Sequence, residues 1–161
     1  MSHITKPIDV YRDLIEKGEI RPDPIQLNAM GRLQALADVL SKYSLQMGKA
    51  GWRVRLSLSG SKRLTPNGLY FWGGVGCGKT MLMDLFFNHC LVDKKQKKHV
   101  HFHAFMQEVH KRLHTFREAQ KVGKVPKSRD PITALSKVIV DRAWLLCFDE
   151  FHITDIADAM I

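Results

Sequence analysis

The run Gly73-Gly74-Val75-Gly76-Cys77-Gly78-Lys79-Thr80 fits the pattern G-x-x-x-x-G-K-[ST]. The chemistry of that spacing is phosphate binding. Glycines admit positive φ, so successive backbone N–H groups can turn inward around phosphate oxygens. A helix expected to start near Lys79 aims the positive end of its dipole at the same anion. Lys79 has the reach for the β- and γ-phosphates, and the Thr80 hydroxyl for Mg²⁺. The loop therefore predicts binding of ATP with Mg²⁺. Further along, Leu145-Leu146-Cys147-Phe148-Asp149-Glu150 is an apolar run ending in two carboxylates, a Walker B pattern. Asp149 is expected to hold the Mg²⁺, in part through water, and Glu150 to polarise the attacking water. Apolar strands often end in an acidic turn, so this run gains its meaning from the glycine loop upstream. With Lys79 and Glu150 as catalytic residues, a base supplied within the chain favours hydrolysis over transfer to a second substrate.

These residues need elements to hold them. Leu69-Tyr70-Phe71-Trp72 is a short unbroken apolar run, expected to be a doubly covered parallel strand leading into the loop. Residues 80–88 are almost wholly apolar and predict a buried helix after it. Residues 100–105 read as a second strand, and Phe105, Met106, Val109, Leu113 and Phe116 mark one face of a long helix. Asp130-Pro131 caps another helix carrying Leu135, Val138 and Ile139, and residues 143–148 form the third strand. Strands alternating with helices predict an α/β fold, with a parallel sheet covered by helices on both faces.

Upstream, residues 7–17 read as a short helix bearing Tyr11, Leu14 and Ile15, with Gly18 as its stop. Asp23-Pro24-Ile25-Gln26 opens a second helix with a capping carboxylate, a proline at the first helical position and a glutamine three residues after the cap. Met30, Leu33, Leu36, Ala37 and Leu40 recur along it as far as Tyr43. Residues 48–67 mix Gly, Pro and Asn with Arg and Lys and read as a basic connector. The expected organisation is thus a helical arm over 1–47, a linker over 48–67 and the start of a P-loop domain over 68–161.

The 161 residues carry a formal charge of +9, concentrated in residues 49–63, 94–98 and 121–129, all of which read as solvated connections. No apolar run approaches the length of a membrane span, and the N-terminus lacks the layout of a signal or transit peptide. Three cysteines, Cys77, Cys90 and Cys147, fall in segments expected to be buried, which suits a reducing compartment rather than a disulfide framework. His99, His101 and His103 alternate along the second strand, and His110 and His114 lie one helical turn apart. Without the glutamate of H-E-x-x-H or an acidic cluster beside them, they read as packing and hydrogen-bonding residues rather than metal ligands.

Together, the stretches Gly68-Leu69-Tyr70-Phe71-Trp72-Gly73-Gly74-Val75-Gly76, Lys79-Thr80-Met81-Leu82-Met83-Asp84-Leu85-Phe86, His101-Phe102-His103-Ala104-Phe105-Met106, Leu146-Cys147-Phe148-Asp149-Glu150-Phe151 and Thr154-Asp155-Ile156-Ala157-Asp158-Ala159-Met160 resemble the ZapE/AFG-like ATPase family. The resemblance implies an AAA+ P-loop ATPase that remodels a protein partner. Bacterial members are cytoplasmic division-associated ATPases acting on the tubulin-like ring protein FtsZ; mitochondrial members serve protein quality control. Family members are considerably longer, which implies that the sensor strand, the arginine finger, the helical lid and a strand between the two motif strands follow Ile161, and that the full-length protein can form homo-oligomers. It also implies that the segment around Asp23 and Gln26 lies near the adenine, whereas the residues themselves read as a helix cap. Cys77 stands where bacterial relatives often have arginine, and no function attaches to it.

Two other readings compete. A helicase-loader-like ATPase would use the basic stretches to grip single-stranded DNA, although no aromatic residue apart from Trp52 is interleaved with them, and specific nucleic-acid binding is not expected. A nucleotide-dependent binding module with little turnover is opposed by the intact Asp149-Glu150 pair.

Overall fold

The computed structural model describes residues 6–55, 66–143, 145–153 and 156–160, with the side chains of residues 43–55 and 157 outside that description. The chain divides into two compact units, Met1–Val92 and Asp93–Ile161.

The first unit is helical. Helix α1, Pro7–Glu16, starts with proline at its first position and stops where Gly18 takes a φ of 74°. Helix α2, Pro24–Arg55, begins at Asp23, whose carboxylate accepts from the backbone N–H groups of Ile25 at 2.7 Å and Gln26 at 3.2 Å. Helix α3, Lys79–His89, follows the glycine loop. The three helices pack on one another, and their shared core holds Tyr11, Met30, Leu33, Ala37, Leu40, Leu82 and Phe86. Burying each large apolar side chain among them contributes about 1.5–3 kcal/mol.

Three expectations do not hold. The second helix does not end near Tyr43 but continues through Arg55, so residues 48–55 are helical where a connector was expected. Gly48 and Gly51 each cost a helix only about 1 kcal/mol, and no proline interrupts the run. The remainder of the expected linker, residues 56–65, lies outside the described residues. Residues 69–72 form no ladder with any described strand, and Tyr70 and Trp72 are 68% and 85% exposed. A strand exists by virtue of its backbone partners, and an apolar run alone does not provide one. Finally, α3 buries only Leu82 and Phe86, because one stripe of a helix faces a neighbour while the remainder does not.

The second unit contains a parallel pair of strands, β1 at Lys97–His101 and β2 at Leu145–Asp149, in the register Lys97↔Leu145 to His101↔Asp149. A 3₁₀ turn at Lys94–Gln96, with Asp93 accepting from the N–H of Lys95, leads into β1. The basic run 94–98 is therefore turn and strand rather than open loop. Helix α4, Phe102–Lys121, presents Phe102, Met106, Val109 and Leu113 as a buried stripe at helical spacing. Helix α5, Pro131–Arg142, brings Leu135 and Ile139 against that stripe, and Phe148 of β2 completes the cluster. Asp130 caps α5 by accepting from the N–H of Thr133 at 2.7 Å. A short helix α6, Ile156–Ala159, follows.

The first strand of this unit lies earlier than the sequence indicates, at residues 97–101 rather than 100–105. Phe102 and Phe105 serve the core from a helix: Phe102 meets Phe148 edge-on at 5.9 Å, and Phe105 does so at 4.9 Å. The strand itself is the polar sequence Lys-Lys-His-Val-His, held by pairing with β2 rather than by its own hydrophobicity. The parallel α/β character is present, with two strands among the described residues.

Candidate functional site

The glycine loop lies in the first unit, between residue 72 and α3. Residues 73–77 are exposed. Gly76 and Gly78 take φ values of 80° and 82°, in the left-handed region where a Cβ is disfavoured. Gly78 is the residue before α3, and its carbonyl accepts the first helical bond, from Leu82 at 3.0 Å. The N-cap residue, Gly78, has no side chain with which to cap α3, and the first turn has no acidic residue. The first N–H groups of a helix need acceptors and sum to a partial positive charge. An uncapped start preceded by a glycine turn and followed by a lysine fits a phosphate.

Lys79 sits at the first position of α3. Its ammonium donates to the carbonyls of Gly73 at 3.1 Å and Gly74 at 2.7 Å, so its charge is held over the loop. Cys77, contrary to expectation, is exposed, and its thiol donates to the Gly74 carbonyl at 3.0 Å. The Cys77 sulfur also lies 3.4 Å from the Lys79 ammonium, so the side chain folds back across the loop. Cys90 and Cys147 are buried. Thr80, also exposed, begins the helix beside Lys79.

The carboxylate pair lies in the second unit, at the end of β2. Asp149 closes the strand, and its carboxylate accepts from the N–H of Glu150 at 3.0 Å. Glu150 has a φ of 51°, unusual for a residue with a side chain. That geometry costs about 1–2 kcal/mol and turns the chain sharply off the strand, leaving the Glu150 side chain exposed. The Phe151 ring folds back against Phe102, tilted at 45° with the centroids 4.2 Å apart, and anchors the turn.

Two buried or half-buried partners are not evident from sequence. The Gln26 side chain does not complete a capping box; its amide N–H donates to the Cys77 carbonyl at 3.3 Å, and its carbonyl accepts from the Tyr11 hydroxyl at 3.2 Å. A glutamine three residues after a cap reads as a local partner, and only the family resemblance puts it near the nucleotide. In the second unit, His110 bonds Asp158 at 2.6 Å, tying α6 to α4. The alternating histidines do not share one strand face: His99 and His101 are on β1, whereas His103 is on α4 beside Gln107 at 3.0 Å. Among the described residues, no three His, Cys, Asp or Glu side chains gather into a metal cage.

A G-x-x-x-x-G-K-T loop running into a helix, in the first unit, and an Asp-Glu pair at the end of a parallel strand, in the second, are each features of the P-loop class. The chain belongs to the AFG1-like ATPase family, whose profile matches residues 5–161. It is 35% identical over 189 residues to lactation elevated protein 1 homolog B of Danio rerio, covering 94% of this chain and 37% of the relative. It is likewise 35% identical over 164 residues to cell division protein ZapE of Escherichia coli K12, covering 96% and 40%. A third relative, protein C115.02c of Schizosaccharomyces pombe, is 32% identical over 178 residues, covering 96% and 38%. The chain thus spans well under half the length of these relatives. No solved structure matches it. No helix among the described residues is long and apolar enough to cross a membrane.

Proposed function

We propose that the full-length protein binds ATP at residues 73–80 and hydrolyses it, using the reaction to remodel a protein partner. The observation that carries this reading is the uncapped, acid-free start of α3 beneath a glycine turn, with the Lys79 ammonium bonded across the loop. Backbone N–H groups of the loop and of α3 would bind phosphate oxygens. Lys79 would exchange its two carbonyl acceptors for the β- and γ-phosphates, a charge-assisted and stronger bond. Thr80 and Asp149 would hold Mg²⁺, which supplies charge neutralisation on the phosphates when bound. Glu150 would accept a proton from the attacking water as the new oxygen–phosphorus bond forms and the bond to ADP breaks.

The 35% identity to cell division protein ZapE over most of this chain supports a division role; FtsZ as the partner, or protein quality control as the alternative setting, rests on the family resemblance alone. The test of the core reading is Lys79→Ala in the full-length protein. ATP should no longer raise the melting temperature, while the fold is retained. An unchanged ATP-dependent shift would show that residues 73–80 are not the nucleotide site.

A further inference from the structure

The loop contains four glycines, is exposed from residue 73 to 77, and therefore loses much conformational freedom when ordered around a ligand. Several bonds hold it in shape. The Lys79 ammonium reaches the carbonyls of Gly73 and Gly74, and the Cys77 thiol reaches that of Gly74. These come from within the loop, and the Lys79 bonds use the group that a phosphate claims. The Gln26 bond differs on both counts. It comes from helix α2, 51 residues away in sequence, and ends on the Cys77 carbonyl, a group that a phosphate does not use. It also fits tightly: a Cβ built on Gly78 would lie 2.8 Å from the Gln26 amide nitrogen.

The orientation of the Gln26 amide is fixed from behind. Tyr11 is fully buried, and its hydroxyl donates to the Gln26 carbonyl oxygen, which leaves the amide N–H groups facing the loop. Burial, followed by the nearby Asp23 carboxylate, raises the Tyr11 pKa, so the phenol stays a donor throughout the neutral range. Asp23, at the cap of α2, also sets the helix start that aims Gln26.

We infer that Gln26, oriented by Tyr11, is a positioning residue that pre-shapes the phosphate loop for nucleotide. The inference rests on the proposed role of residues 73–80. Its mechanism is preorganisation: a loop already shaped loses less freedom on binding, so affinity improves. Bound nucleotide orders the loop by itself, so the chemical step at saturation is untouched. Loss of Gln26 therefore raises KM and the dissociation constant and leaves kcat in place.

The test uses the full-length protein with Gln26→Met, which keeps length and removes the donor, and Tyr11→Phe, which keeps the ring and removes the hydroxyl. ATP affinity is measured by calorimetric titration, and KM and kcat by phosphate release. Gln26→Met is expected to weaken ATP binding about threefold to tenfold, the loss of one hydrogen bond's net contribution. Tyr11→Phe gives a smaller loss in the same direction, and the double variant matches Gln26→Met alone. ATP binding by Gln26→Met at the parental affinity overturns the inference. So does a fall in kcat with KM unchanged, which is the mark of a residue needed only for folding. Should Gln26→Met fail to fold, Tyr11→Phe carries the same split. Lys79→Ala separates the two claims: retained ATP binding there refutes the loop assignment, whereas its loss beside a normal Gln26→Met refutes the role of Gln26 alone.

Discussion

Replacing Gly78 by alanine combines two costs that a neighbouring glycine allows to be separated. Gly78 has a φ of 82°, and its new Cβ would stand 2.8 Å from Gln26 Nε2 and 3.3 Å from Gln26 Cδ. The left-handed backbone costs a residue with a Cβ about 1–2 kcal/mol relative to glycine. Gln26 must also withdraw, and its bond to the Cys77 carbonyl is lost, for about 1 kcal/mol more. Summed, the expected destabilisation is about 2–3 kcal/mol. Gly76 supplies the control, since it has a φ of 80° and a Cβ added there would meet nothing within 4 Å. Gly76→Ala should therefore show the backbone cost alone, about 1–2 kcal/mol. Urea denaturation followed by circular dichroism resolves the difference, which at ordinary urea sensitivities moves the midpoint by roughly 0.5 M between the two variants. In a Gln26→Ala background, the cost of Gly78→Ala should fall to that of Gly76→Ala. Equal destabilisation by the two alanines in the parental background would refute the close approach of Gln26 to the loop.

Glu150→Gln in the full-length protein should bind ATP normally and turn it over ~10²-fold more slowly, and parental turnover would remove Glu150 from the mechanism. Glu150→Gly and Glu150→Ala both lack the carboxylate, but glycine suits the φ of 51° and should leave the protein about 1 kcal/mol more stable than alanine does, measured by the same denaturation. Glu108 accepts from Arg112 at 2.9 Å, and this bond, ahead of the charges of Arg112, Lys98 and Arg142, holds its carboxyl below the ordinary value of 4.5. Its contribution is therefore complete above that value and is lost as pH falls through the lower folded value; being half exposed, it should be small, and Glu108→Gln should flatten the fall in urea midpoint as pH drops below 4.5. The Asp158 side chain is only 8% exposed and bonds His110, so Asp158→Ala should cost about 1–2 kcal/mol and speed amide exchange in residues 156–160; unchanged exchange would show that the pair does not tie α6 down.

Sequence alone determined the features whose physics is local. The glycine spacing at residues 73–80 requires backbone conformations that few other residues adopt, and Gly76 and Gly78 adopt them. Asp130-Pro131 caps a helix, and Asp23-Pro24 starts another, because the side chain that satisfies the first amides lies within three residues of them. The stripe on α4 is legible from helical spacing. What the sequence misplaces depends on partners distant in the chain. Residues 69–72 look like a strand but have no ladder among the described residues, whereas the polar run Lys97–His101 is a strand because β2 lies beside it. Gln26 looks like half of a capping box, since that bond lies within one turn. Only tertiary structure set the choice between its own helix cap and a carbonyl 51 residues away, by bringing Tyr11 and the loop to either end of its amide.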